Sequence, residues 1–197
     1  MALGQSTWPP QGLRSGALQK IGGRIVLKDG REVIYRRARR DDEEALYQMF
    51  SALTVESLYM RYVGYHKATR EEIREVLQRE GTEELCLVAT PVGNEKEIVA
   101  QIRCIFLNPP TNAELAIVVH DDWQNQGLGT GLVTALARWA IQAEVERIVG
   151  VVGLSNARMA HVFSKLGFAI RDSCYDTVKM ARLLPAASKR RSSDTAT

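Results

Sequence analysis

The chain has 197 residues, 45% of them hydrophobic and 25% charged, which is enough for one substantial core. No run approaches the roughly 18 consecutive apolar residues of a spanning helix, and the N-terminal MALGQSTWPPQGLRSG lacks the apolar core of a signal peptide, so a soluble, cytoplasmic protein with no membrane partner is expected. The net charge of +3 belongs to the ends: residues 1–24 carry +3 and residues 185–197 carry +2, which leaves −2 on 25–184, and a nucleic-acid partner is not expected. Cys86, Cys104 and Cys174 lie far apart with no CxxC spacing, so neither a disulfide framework nor a zinc site is indicated.

Residues 1–24 and 185–197 are rich in Gly, Ser, Pro and Ala and are expected to be disordered tails around a folded domain, 25–184. The domain opens with β-branched stretches at 25–27 and 33–35 separated by the turn Lys28-Asp29-Gly30, a small hairpin. After the basic run 36–40, expected to be a solvated strand end, Asp41 is placed to cap a helix whose apolar face is Ala45, Leu46, Met49, Phe50 and Leu53. Thr54 opens a second short helix, and Thr69 with Glu72 forms a capping box for a third that buries Ile73, Val76 and Leu77.

Three strand-like segments follow, 85–90, 98–107 and 114–119, with Gly93-Asn94 supplying one turn and Asn108-Pro109-Pro110 breaking the next; this block reads as an antiparallel meander. Beyond residue 120 the rhythm becomes strand, helix, strand, helix, strand. Leu128, Leu132, Ala135, Leu136, Trp139 and Ala143 mark a helix of about 16 residues. Residues 148–152 form a strand, 156–166 a helix, and 168–173 with 177–180 a closing pair, so the class is mixed α/β (α+β).

The segment Gln124-Asn125-Gln126-Gly127-Leu128-Gly129-Thr130-Gly131 lies between a strand and the long helix. A helix start has unpaired amides and partial positive charge, which suits a phosphate, and glycines at 127 and 129 admit a close approach to the backbone. The spacing is neither a Walker A loop, since no Lys-Ser/Thr follows, nor GxGxxG, since position 132 is Leu, and by itself it is equally an ordinary capped helix.

Gln124-x-x-Gly127-x-Gly129 after the strand LAIVV, with Ser-Asn-Ala at 155–157 about 30 residues later and then KLGF at 165–168, resembles the GNAT superfamily of N-acetyltransferases over roughly residues 31–181. Within it, VIYRRARRDDEEAL, SALTVESLYMRYVG and AELAIVVHDDWQNQGLGTGL are similar to the catalytic domain of bacterial Pat-type protein lysine acetyltransferases, whose usual target is the active-site lysine of an acyl-CoA synthetase. The resemblance implies a mixed, mostly antiparallel sheet of about seven strands flanked by four to five helices, with acetyl-CoA as co-substrate. It implies that the backbone of Ile117, Val118 and Val119 pairs with the pantetheine arm and the acetyl carbonyl. The amides of the loop from Gln124 through Asn125, Gln126, Gly127, Leu128 and Gly129 to Thr130 would hold the pyrophosphate, and Asn156 would meet the pantetheine or thiol end.

Transfer needs a base, because only the neutral amine attacks a thioester. Glu114 matches the glutamate of the Pat-type Ala-Glu pair, and apolar neighbours are expected to raise its pKa. The tyrosine that protonates the leaving thiolate in many members is matched by Phe163, which cannot; Tyr175 or Tyr59 would have to substitute, or amides and water stabilise the thiolate. The three histidines share no metal spacing, and Ser155 lacks a nucleophile-elbow context.

The acceptor groove implied by the resemblance is bordered by residues 51–65, where Glu56, Tyr59, Arg61, Tyr62 and Tyr65 could grip a peptide or a small amine. The leading expectation is acetyl transfer to a protein lysine. A small-molecule amine acetyltransferase and an acyl-CoA-binding sensor without turnover are the alternatives.

Overall fold

The computed structural model describes residues 21–107, 111–174 and 177–183. Chain order gives β1 (Gly22–Val26), β2 (Glu32–Arg37), α1 (Glu43–Ala52), α2 (Val55–Tyr62), α3 (Arg70–Arg79), β3 (Glu84–Pro91), β4 (Ala100–Phe106), β5 (Asn112–Val119), α4 (Leu128–Gln142), β6 (Arg147–Gly153), α5 (Ala157–Lys165), β7 (Ala169–Cys174) and β8 (Thr177–Leu183). The eight strands form one sheet in the order β1-β2-β3-β4-β5-β6-β8-β7. Every neighbouring pair is antiparallel except β5 and β6. This is the mixed, mostly antiparallel α/β fold expected, and β1, which begins inside the segment expected as tail, supplies an additional edge strand. The remaining tail residues and the Asn108-Pro109-Pro110 break lie outside the described residues. Among the described residues no helix is long and apolar enough to cross a membrane.

Two cores sandwich the sheet. On one face Leu128, Leu132, Leu136 and Trp139 of α4, with Phe163 of α5, pack on Leu85, Leu87, Ile102 and Leu115. On the other, Leu46, Met49 and Phe50 of α1, Leu58 of α2, and Ile73, Val76 and Leu77 of α3 cover Cys86, Val88 and Val118. The period-2 alternation of β5 divides it between them, with Leu115 and Ile117 against the first core and Val118 in the second. Cys86 and Cys104 are buried and unpaired, and burial pushes both thiols up, Cys104 to about 12.

Local signals behave as the sequence suggests at two helix starts. Thr54 Oγ1 accepts from Ser57 N at 3.2 Å, and Thr69 and Glu72 close a reciprocal box. The basic run differs. Asp42, not Asp41, stands at the N-cap of α1, and its side chain bonds no α1 amide: its Oδ2 accepts the Arg39 N–H at 2.7 Å, and its two oxygens receive the Arg36 guanidinium at 2.7 and 2.8 Å. A 3₁₀ turn, Arg40–Asp42, intervenes before α1 and carries Asp42 back toward β2. Arg37 likewise forks onto Glu80 at 2.8 and 2.9 Å, so this strand end is paired rather than merely solvated.

β5 and β6 pair only over Asn112↔Arg147 to Leu115↔Gly150 and then part. Phe163 lies against Gly150, the last residue of β6 paired with β5. A Cβ built on Gly150 would fall 2.2 Å from the Phe163 ring, which stacks in turn on Phe168 at 4.6 Å between centroids. Phe163 is thus a core residue at the point of the fork, 2% exposed.

α2 is tied to the chain leaving β5 by Asp121, whose carboxylate accepts from Thr54 N at 3.0 Å, Thr54 Oγ1 at 2.8 Å and Ser57 Oγ at 2.6 Å. Partial burial raises the Asp121 pKa, but these three donors outweigh it and hold the carboxyl below its ordinary 3.8.

Two stability measurements check these contacts by denaturant unfolding. Gly150→Ala must displace the Phe163 ring and is expected to cost about 1–3 kcal/mol. Asp121→Ala is expected to cost about 1–2 kcal/mol at pH 7. Because the folded pKa is the depressed one, that stabilisation is complete above pH 3.8 and is lost as the pH falls through the folded value, so the gap to wild type narrows in acid.

Candidate active site

Where β5 and β6 separate, a cleft of about 670 Å³ opens between α2, α4 and α5. One wall is the β5 edge. His120 N donates to Val99 O, toward β4. By the alternation of an extended strand, the N–H and C=O groups of Ile117 and Val119 therefore face the gap. Residues 116–119 remain paired with β4 on the other side, which holds this edge straight. Such a row of strand groups suits an extended chain lying as an added strand.

The floor is the start of α4. Asn125 (φ 60°) and Gly127 (φ 91°) both adopt left-handed backbone, and the Gly131 N–H is the first to close onto Gly127 O. The amides preceding it have no partner within the helix, and the helix dipole adds positive potential there. Gly129 lies in the cleft wall, and a Cβ there would meet only Ile117 Cδ1 and Val119 Cγ2, both at 3.9 Å, so its absence leaves room without being required by packing. Charged groups add to the field: Lys28, Arg61, Arg158 and Lys165 line the cleft against a single carboxylate, Glu56.

Of the residues expected to contact acetyl-CoA, the structure brings Ile117, Val118, Val119, Gln124, Asn125, Gly127, Gly129, Thr130 and Asn156 into this one cleft. Leu128 and Gln126 are not in its lining: Leu128 is buried in the core at 1% exposure, and the Gln126 carbonyl accepts the Lys28 N–H at 3.1 Å, tying the loop to the β1–β2 hairpin. Val118 presents its backbone, since its side chain enters the opposite core. Gln124 is a brace. Its Nε2 donates to Val119 O at 3.0 Å and Ser57 Oγ at 2.9 Å, and its Oε1 accepts from Arg158 at 3.3 Å. Asn156 caps α5, its Oδ1 accepting Met159 N at 3.0 Å, while lining the cleft. The cationic contributions of Lys28, Arg158 and Lys165 were not legible in the sequence, since they come from separate elements.

A second cavity of about 350 Å³ adjoins the first and shares Met60, Arg61, Ile117, Asn156 and Met159 with it. Glu114 lines this second cavity, in register with Val149 one pair before the strands part, together with Tyr62 from the end of α2. Burial pushes the Tyr62 phenol up, so it keeps its proton at neutral pH. Glu56 lines the larger cleft. Tyr59 packs on Tyr65 at 5.7 Å between centroids and lines neither cavity, and Tyr65 is 86% exposed. Tyr175 lies outside the described residues. His120 accepts from Asp122 N through Nδ1 and is outside both cavities.

The sequence model of the Acetyltransferase (GNAT) family matches residues 45–168. Among solved structures, the GNAT domain of S. lividans PAT superposes with a TM-score of 0.75 at 23% identity, covering 83% of this chain and 97% of that one. Spermidine N-acetyltransferase from Vibrio cholerae, in complex with CoA and spermine, gives 0.63 at 14% identity, covering 77% and 95%. A cAMP-binding acyltransferase from Mycobacterium smegmatis gives 0.58 at 24% identity, covering 84% of this chain and 48% of that longer one. The matched segment contains the β5 edge, the glycine loop and α5, the elements that build the cleft, and this chain belongs to the GNAT acetyltransferase family.

Proposed function

We propose that this protein transfers the acetyl group of acetyl-CoA directly to a primary amine, the side-chain amine of a protein lysine, with Glu114 as the base. The observation that carries this reading is the adjacency of two cavities at the β5–β6 fork, which share Met60, Arg61, Ile117, Asn156 and Met159: a cationic cleft against a strand edge and a helix start, and beside it the cavity lined by Glu114. The fit of acetyl-CoA rests on the same features. Loop amides and the Lys28, Arg158 and Lys165 side chains suit a pyrophosphate and its neighbouring phosphate, and the gap-facing groups of Ile117 with the Val119 N–H suit an amide-bearing arm. The activated acetyl group supplies an electrophilic carbonyl with a thiolate leaving group. Likeness to the S. lividans PAT domain supports a protein lysine, with the reactive lysine of an acyl-CoA synthetase as the candidate substrate.

In this mechanism Glu114 takes a proton from the incoming ammonium, directly or through a water, and the amine nitrogen bonds to the carbonyl carbon. The Val119 N–H, on the gap side of β5, stabilises the developing oxyanion. The C–S bond then breaks and the sulfur leaves. Phe163 contributes packing and no proton, so the thiolate is received by backbone amides and solvent until it is protonated.

Two variants test the two halves separately. Glu114→Gln is expected to bind acetyl-CoA as wild type does by calorimetry while transfer to lysine peptides falls about 10²–10⁴-fold; transfer at the wild-type rate would remove Glu114 from the mechanism. Gly129→Leu is expected to keep the fold, because the added side chain enters open cleft, and to weaken acetyl-CoA binding about tenfold or more. Unchanged affinity would mean the cofactor lies elsewhere.

A further inference from the structure

Arg61 stands apart from the other arginines that pack near the sheet. Arg36, Arg37, Arg79 and Arg103 each hold a carboxylate, and Arg103, its neighbour across the sheet face, bonds Glu84 at 2.6 Å. Arg61 makes no hydrogen bond or ion pair among the described residues, and its Nε is shut off from solvent without an acceptor. Burial lowers its pKa, with Glu114 and Tyr62 opposing that effect and Arg103 adding to it. A guanidinium keeps its charge even so, and a desolvated charge without a counter-ion is costly.

Its position gives that charge a use. Arg61 and Glu114 are the two charged side chains lining the smaller cavity, whose remaining lining is mostly apolar, including Val63, Val151, Met159 and Phe163. They sense one another without pairing. The Tyr62 ring lies 5.0 Å from the Arg61 guanidinium carbon and restrains it. One fixed anion and one fixed cation facing an apolar pocket form the complement of a zwitterion, and the planar guanidinium fork matches a carboxylate.

We propose that Arg61 binds a carboxylate carried by the acceptor close to the amine that Glu114 deprotonates. This rests on the acetyl-transfer reading and narrows its substrate class. Two sources supply that chemistry: an Asp or Glu side chain beside the target lysine of a protein, or the carboxylate of a free amino acid.

Steady-state acetylation of matched acceptor pairs distinguishes them. One pair is a lysine peptide with Glu beside the lysine against the same peptide with Gln; the other is a set of free amino acids against their amides. The expected result is a kcat/KM about tenfold or more higher for the carboxylate member of one set, which identifies the source. In Arg61→Met that ratio falls to about one, and Arg61→Lys restores part of it. Ratios near one in both sets for the wild-type protein overturn the inference while leaving acetyl transfer intact. So does a ratio that persists in Arg61→Met, or a wild-type preference for succinyl-CoA over acetyl-CoA with no acceptor preference, which would give the guanidinium to the acyl group. Absence of transfer to every amine removes both readings. Should Arg61→Met not fold, the wild-type ratios decide, together with competition by propionate against the acceptor, expected in the carboxylate set and absent if the inference is wrong.

Discussion

The parting of β5 from β6 is the constraint on which the rest of the structure depends. A parallel pair that continued past Leu115 and Gly150 would satisfy its own backbone groups and leave nothing to bind. Phe163 occupies the fork against Gly150, where a side chain on β6 would collide with the ring. β4 stays bonded to the whole of β5, so the free edge remains ordered. The aromatic ring at this position is therefore structural, filling the fork without a polar group to move a proton.

Around this gap the two faces of β5 take different tasks. Ile117 packs against the α4 side, where the glycine loop lines the large cleft, while Glu114 and Val118 share the parity that faces α1, α2 and α3. The proposed base and the proposed phosphate cleft thereby draw on opposite parities of a single strand, a few residues apart. The electrostatic field follows the same division, with cations concentrated along the large cleft and one carboxylate and one unpaired guanidinium lining the smaller cavity.

α2 is short, and its placement comes from hydrogen bonds more than from burial, since Leu58 is its one fully buried residue. Asp121 holds its first turn, Gln124 bridges Ser57 to β5, and Arg158 reaches from α5 to Glu56 at 3.4 Å. The cleft roof is thus a polar strap with exposed members. Such contacts have low individual free energies, a property suited to admitting and releasing substrates.

The sequence by itself determined the elements and the left-handed glycine turn that opens α4. Thr54 and Thr69 cap where local hydrogen-bonding chemistry requires, α4 follows its apolar period, and Gly127 takes a left-handed conformation that other residues adopt at a cost. These signals are local, so they survive without knowledge of the fold. The start of α1 falls one residue beyond the expected Asp41, and Asp42 there gives its carboxylate to Arg36 and Arg39 rather than to the helix, because Asp41 and Asp42 look alike until the turn of the chain brings Arg36 within reach of only one of them. The role of Gln124 as a brace, the cationic lining from Lys28, Arg158 and Lys165, and the isolation of Arg61 beside Glu114 were decided by tertiary structure. Each depends on which distant side chains arrive at the same place, and above all on which carboxylates are already taken by other arginines.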